Sequence, residues 1–201
     1  MAPSPSEPDP FATPRRVAAL MAGFPRPWYL AGGWALDVWL RGVTRPHEDI
    51  EIAILRRDQD EIRRHLAGWE FDKVVRDVGG LGRQPWREGE RLEPPIHELH
   101  ARRSEGEPRE LEVLLNESDA DDWRFRRDLR VSRPLSEMGL SVAGVPVLAP
   151  EIVLLYKAKA PRPRDEKDFR NASKRLSPEQ RRWLRAALDT VYPGHPWIGA
   201  L

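Results

Sequence analysis

The sequence contains no cysteine, which excludes disulfide bonds, thiolate metal sites and a cysteine nucleophile. It also has almost no net charge, because 33 basic side chains balance 32 acidic ones to leave a formal charge of +1. General nucleic-acid-binding proteins are usually strongly basic, so this balance argues against that class. No apolar run approaches the roughly 20 residues that a membrane-spanning helix needs. These absences predict a cytoplasmic protein that makes no membrane contact.

Apolar residues make up 40% of the 201 residues, enough to bury the core of one domain or of two small lobes. Residues 1–10 are rich in Pro, Ser and acidic side chains, which predicts a disordered tail. Residues 11–135 mix strand and helix patterns and are expected to form a core. Residues 136–201 are expected to form a mainly helical C-terminal lobe. The predicted fold class is therefore α+β, with a mixed sheet flanked by helices.

Two segments of the C-terminal part carry clear helix signals. Pro150 precedes an apolar helix predicted over Glu151–Ala160, which Pro161 and Pro163 are expected to end. The sequence Ser-Pro-Glu-Gln at 177–180 is typical of a capping box, so a second helix is expected to begin there.

Asp49 and Glu51 stand one residue apart in a segment of alternating apolar and polar residues. The alternation predicts a strand with both carboxylates on one face. Two like charges held so close are unfavourable unless solvent or a cation compensates them, and Mg²⁺ prefers carboxylate oxygens. Glu112, on another alternating segment, is the candidate third carboxylate of a site for two ions about 3.5–4 Å apart. Acidic residues also alternate on ordinary half-exposed strands, so the pair alone does not define a site.

The glycine pair Gly32-Gly33 follows a predicted strand and precedes a predicted helix. Such a junction exposes backbone N–H groups and lets a phosphate approach without Cβ clashes. Arg45 adds a permanent positive charge between the glycines and the acidic pair. These features in one short span predict a site for a nucleoside triphosphate with metal ions.

The strings GGWALD at 32–37 and RPHEDIEI at 45–52 resemble the signature of the DNA polymerase β-like nucleotidyltransferase superfamily, and within it the aminoglycoside and lincosamide nucleotidyltransferases. The resemblance implies that the glycine pair lies under the nucleotide phosphates. It also implies that Asp49, Glu51 and Glu112 hold two Mg²⁺ ions. The second and third acids are Glu here, where Asp is common in the family, and Glu110 is the alternative third acid.

The string YKAKA at 156–160 resembles a segment of many bacterial members of the superfamily, which implies that Lys157 neutralises substrate phosphates. Alternatively, Lys157 and Lys159 solvate the end of their helix, where cations suit the helix dipole. Asp165 and Asp168 are expected to be structural, pairing with arginines or capping the next helix.

The resemblance implies transfer of a nucleoside monophosphate from an NTP, with ATP as the expected co-substrate, to a hydroxyl group of a small, aminoglycoside-like molecule. Glu112 would ligate one metal ion and accept the hydroxyl proton. Two alternatives stay open: a toxin-type transferase acting on tRNA or protein, and a catalytically lapsed member that binds a nucleotide or a partner. The oligomeric state is not predicted.

Several other residues invite functional interpretations. His97 and His100 suggest zinc, but the spacing is not that of a zinc motif and their imidazoles would face opposite sides of a strand. Trp86 is a candidate acceptor contact. Arg126, Arg127 and Arg130 could form a patch for RNA or triphosphate, although a solvated face is the simpler interpretation.

Overall fold

The computed structural model describes residues 9–77 and 80–201, so the first eight residues of the expected tail lie outside the described residues. The helices are α1 (Ala12–Leu20), α2 (Gly32–Leu40), α3 (Gln59–His65), α4 (Pro150–Lys157), α5 (Pro163–Ser173) and α6 (Pro178–Val191). The strands are β1 (Trp28–Leu30), β2 (Glu51–Leu55), β3 (Glu70–Asp77), β4 (Gly80–Pro85), β5 (Glu98–Arg102), β6 (Glu110–Asp119), β7 (Asp122–Arg124), β8 (Ser132–Pro134), β9 (Gly139–Val142) and β10 (Val145–Leu148). Across these described ranges, no helix is long and apolar enough to cross a bilayer.

The strands form one mixed sheet in the order β4-β3-β5-β6-β2-β1-β10-β9, with β7 paired to the end of β6 and β8 paired to β7. Two neighbouring pairs are parallel, β1 with β10 and β2 with β6, and the other neighbours are antiparallel. Helix α2 packs against β10, α4 and α5, and α4 packs against α6. The predicted α+β class with a mixed sheet is confirmed.

The predicted site residues lie together at one end of the central strands β1, β2 and β6. Because β1 runs antiparallel to β2, the end of β1 meets the start of β2, where the Ala31 N–H donates to the Glu51 carbonyl oxygen at 2.8 Å. Because β2 runs parallel to β6, Glu51 lies directly beside Glu112. The glycine pair and the acidic residues therefore lie at the same end of these central strands, although they lie far apart along the chain.

The C-terminal helices show both a confirmed and a wrong prediction. The capping box of α6 is confirmed, since Ser177 accepts from the Gln180 backbone N–H and the Gln180 side chain accepts from the Ser177 N–H. Pro163 was expected to end the preceding helix, which in fact ends at Lys157, and it begins α5 instead. A proline at the first helical position lacks only an N–H that would have no partner within the helix, so it favours a start there.

The division at residue 135 stays a prediction, and the structure adds a connection across it. Strands β9 and β10 follow that boundary, and β10 pairs with β1 through Leu30 and Val147. The helical C-terminal part is therefore joined to the core by the sheet itself.

Candidate active site

One cavity of about 490 Å³ lies at the strand ends described above. Its lining includes Asp49, Glu51 and Glu112, which we term the carboxylate cluster. The register of β2 and β6 sets Glu51 and Glu112 side by side, and Asp49 lies two residues before the start of β2. Glu110, the alternative third acid, is exposed on β6 opposite Arg102 and does not line the cavity. The geometry therefore favours Glu112 over Glu110.

The carboxylate cluster holds negative charge where water is limited. Burial and, next, the Asp49 charge raise the pKa of Glu51 to about 7, while Lys157 opposes the shift. Burial also raises the pKa of Glu112 to about 7, with repulsion from Glu51 as the next cause. Both shifts mean that the charged forms lack sufficient compensation from the protein. A divalent cation is the chemical partner that such a donor set fits.

The two glycines make room for side chains of the site itself. Gly32 has a φ of +59°, and a Cβ added there would lie 1.4 Å from Oε2 of Glu51. A Cβ on Gly33 would lie 2.2 Å from an Nη atom of Arg45. The sequence predicts that the glycines leave room for a phosphate. It does not predict that they also leave room for the side chains of Glu51 and Arg45. This second role arises from contacts between segments that local patterns do not describe.

Helices α4 and α5 hold what we term the ion-pair network, formed by Arg45, Lys157, Arg162, Asp165 and Asp168. Arg45 pairs with Asp168 at 3.0 Å, and Lys157 pairs with Asp165 at 2.8 Å and with Asp168 at 3.0 Å. Arg162 pairs with Asp165 at 2.8 Å. Both aspartates are buried and paired, as expected of structural residues. Arg45 and Lys157 line the cavity, as a phosphate-binding role requires, and each is also paired with a buried aspartate.

His47 is a structural residue of the segment between the glycine pair and the carboxylate cluster. Its Nε2 lies 2.6 Å from a carboxylate oxygen of Asp37, and its ring lies 4.4 Å from that of Trp34. Thr44 donates two further hydrogen bonds to Asp37. The buried Asp37 therefore anchors the loop that carries Arg45.

The structure brings two residues to the carboxylate cluster that the sequence did not assign to it. His100 lies directly opposite Glu112 on β5, with Nδ1 3.6 Å from a Glu112 oxygen. Its Nε2 lies 3.0 Å from Glu98. These three side chains are close enough to share a metal ion, but the two ring nitrogens face different carboxylates, so the imidazole bridges them. The alternation of Glu98 and His100 along β5 was the available signal. The Nδ1 of His97 lies 2.7 Å from the Pro95 carbonyl oxygen instead.

Two interpretations from the sequence are corrected by burial. Arg126 and Arg127 line the cavity rather than a solvated face, because the turn between β7 and β8 folds inward behind the buried Phe125. Trp86, the candidate acceptor contact, is 4% exposed and packs on Phe71 beneath Arg63. It donates to the Glu90 carbonyl and lines neither described cavity, so it belongs to the core.

Comparison with known proteins gives one family and several similar folds. Residues 15–171 match the family model described as aminoglycoside-2''-adenylyltransferase. No curated protein matches the sequence significantly. A solution structure of the antibiotic-resistance factor ANT(2'')-Ia aligns with a TM-score of 0.54 at 20% identity, covering 89% of this chain and 90% of that one. The lincomycin-bound lincosamide adenylyltransferase LnuA aligns with a TM-score of 0.53 at 15% identity, covering 81% and 95%. At such identities these alignments show a shared fold.

Proposed function

The chain belongs to the aminoglycoside-2''-adenylyltransferase family and is a nucleotidyltransferase, and from this premise we propose that it transfers a nucleoside monophosphate from an NTP, with ATP as the first candidate, to a hydroxyl group of an aminoglycoside-like molecule. The observation that carries the proposal is the convergence of the glycine pair, the carboxylate cluster and several basic side chains on one cavity. Each part meets a separate need of the reaction: phosphate binding, metal binding and charge neutralisation.

We propose Asp49, Glu51 and Glu112 as the residues that would hold two Mg²⁺ ions. The fit rests on the raised pKa of Glu51 and Glu112, since their charged forms need a positive partner that the protein does not fully supply. When bound, Mg²⁺ would acidify the acceptor hydroxyl and neutralise the leaving pyrophosphate.

The chain's own side chains would then move one proton and position two substrates. Glu112 accepts the proton of the acceptor hydroxyl. The hydroxyl oxygen forms a bond to the α-phosphorus, and the bond from that phosphorus to the pyrophosphate oxygen breaks. Helix α2 begins at Gly32-Gly33, and the partial positive charge of its N-terminus suits the phosphate groups. Arg45 and Lys157 contribute fixed positive charge from the ion-pair network, which holds them in place before substrate arrives.

The distribution of charge in the cavity supports a cationic acceptor. Acidic side chains come mainly from the strands, where Glu98 adds to the carboxylate cluster, and basic side chains come from α4, the start of α5 and the turn between β7 and β8. Ammonium groups of an aminoglycoside would be attracted to the strand side and phosphates to the helix side. The name of the matched family points to the same class of acceptor, and it does not favour the tRNA alternative.

Transfer of label from ATP tests the proposal. The protein is incubated with α-³²P-ATP, MgCl₂ and separate pools of aminoglycosides, lincosamides and tRNA, beside the Asp49→Ala variant. We expect label in the aminoglycoside pool, with loss of transfer in the variant and on removal of Mg²⁺ by EDTA. Label confined to the tRNA pool would favour the toxin-type alternative. Absence of label from every pool, with no Mg²⁺-dependent binding of ATP, GTP, CTP or UTP, would refute the proposal.

A further inference from the structure

Arg126 stands apart from the other arginines that line the two described cavities. It lines the active-site cavity and also a neighbouring cavity of about 790 Å³. In the neighbouring cavity, Arg56 pairs with Glu117 at 2.6 Å and Arg124 pairs with Asp119 at 3.4 Å. Arg126 has no hydrogen bond or salt bridge from its side chain to any residue in the ranges 9–77 and 80–201.

The surroundings of Arg126 limit its access to water. Its side chain is half-buried, and its guanidinium lies 5.5 Å from the centre of the Tyr156 ring. Burial lowers the pKa of the Arg126 guanidinium, and Glu98 and Glu117 attract it, although neither carboxylate lies within 4.0 Å. A positive charge that is partly removed from water and has no counter-ion is unfavourable, so the free protein carries an uncompensated charge at this position.

The turn that carries Arg126 is fixed in place. Phe125 is fully buried beside Tyr156, with ring centres 4.9 Å apart. The Phe125 N–H donates to the Val131 carbonyl, and the Val131 N–H donates to the Asp128 carbonyl. Neighbouring Arg127 donates to the Tyr156 carbonyl at 2.8 Å, so that side chain is already engaged. The turn thus holds the guanidinium of Arg126 at the cavity, where none of the described residues pairs with it.

We propose that Arg126 binds phosphate oxygens of the nucleotide, and of the pyrophosphate that leaves, from the turn between β7 and β8. The proposal rests on the proposed function, because that function places a triphosphate in this cavity. A phosphate offers the bidentate acceptor that a guanidinium fits. A polycationic acceptor would be repelled by Arg126, which leaves the phosphate groups as its partner in the reaction. Binding supplies the counter-ion that the free protein lacks.

Binding of inorganic pyrophosphate tests this assignment without requiring turnover. Isothermal titration with MgCl₂ present compares the unchanged protein with Arg126→Met, Arg126→Lys and Arg130→Met. Arg130 is the matched control, because it lies on the same turn, is 72% exposed and pairs with Asp128. We expect the dissociation constant to rise about tenfold in Arg126→Met, which corresponds to about 1.4 kcal/mol. Arg126→Lys keeps the charge but loses the bidentate guanidinium, so its dissociation constant should lie between those of the unchanged protein and Arg126→Met. Arg130→Met should have the same dissociation constant as the unchanged protein.

A thermal measurement separates this role from a structural one. Because Arg126 is uncompensated in the free protein, Arg126→Met should melt at the same temperature as the unchanged protein or higher, and pyrophosphate should raise its Tm less. An unchanged dissociation constant in Arg126→Met refutes the assignment while the proposed function stands. If that variant fails to fold, an unchanged constant in Arg126→Lys does the same. A protein that neither binds pyrophosphate nor transfers label loses both proposals together.

Discussion

The carboxylate cluster lies mainly on strands and the ion-pair network mainly on helices, and the two differ in whether their charges repel or attract one another. On the strands, like charges stand together, and the pKa of Glu51 and that of Glu112 are both raised to about 7. On the helices, charges of opposite sign alternate, and the pairing of Asp165 with Arg162 and Lys157 lowers the pKa of Asp165 although burial opposes the shift. Repulsion between like charges leaves a site that a ligand must complete, whereas pairing of opposite charges gives a rigid support.

The largest effect should come from neutralising the carboxylate cluster. Glu112→Gln keeps the shape of the side chain but removes the charge and the proposed proton acceptor, so transfer should fall about 10⁴-fold, about 5.5 kcal/mol in transition-state free energy. Rates of label transfer measure it. Glu110→Gln is the matched control, because Glu110 lies two residues away on the same strand face and outside the cavity. Equal losses in both variants would remove Glu112 from the site.

The next effect concerns the ion-pair network. Asp168→Ala leaves Arg45 and Lys157 with one partner fewer in a buried setting, so the free energy of unfolding should fall by about 4 kcal/mol. Urea unfolding measures it. Asp128→Ala, which breaks the pair with the exposed Arg130, should cost less than about 1 kcal/mol. A small loss in Asp168→Ala would mean that the network does not support the fold, and the contrast between the two regions would fail.

A third effect depends on pH and sets the two regions apart directly. The pKa of Glu51 and that of Glu112 stand at about 7 in the folded protein, against an ordinary 4.5, so the folded state holds protons that the unfolded state has lost. In the metal-free protein, stability should therefore fall as pH rises from 5 to 7 and then level off, by roughly 3 kcal/mol for either group.

Melting temperatures between pH 5 and 8, with and without MgCl₂, measure this fall. Mg²⁺ should raise Tm most above pH 7, because it binds the ionised carboxylates of the folded state. Glu112→Gln should flatten the pH dependence. A metal-free Tm that rises across this window, relative to the Glu112→Gln variant, would contradict the compensation argument.

The smallest effect tests the contact between Gly32 and Glu51. Gly32→Ala should destabilise the fold by about 2 kcal/mol, because the new Cβ meets the Glu51 carboxylate and the positive φ disfavours a side chain. Gly23→Ala is the matched control, since Gly23 has a φ of +80° and open space around it. The difference between the two variants, measured by urea unfolding, isolates the contact with Glu51. Equal losses would mean that backbone conformation alone requires the glycine.

Local patterns in the sequence were sufficient for the centre of the sheet and for α6. The alternation around Glu51 and Glu112 predicted two strands, and the family resemblance implied that their acids meet, which the register of β2 and β6 confirms. The capping box at Ser177 predicted the start of α6 because its hydrogen bonds join residues three apart.

What the sequence left unpredicted depends on contacts between distant segments. The approach of His100 to Glu112 requires the register of β5, and the position of Arg126 requires the burial of Phe125. The catalytic and binding roles of the predicted site residues stay predictions until the variants above are measured.

The bond between Arg45 and Asp168 also bears on how the protein is made, because it joins residues 123 positions apart. At roughly 5–20 residues per second, a ribosome adds Asp168 some 6–25 s after Arg45. Before that interval ends, the glycine pair and all three acids of the carboxylate cluster have been synthesised, but Arg45 still lacks Asp168. The helix side of the cavity therefore forms only after α5 has been synthesised, and a nascent chain stopped before α5 would carry every proposed metal ligand without the support that holds Arg45 in place.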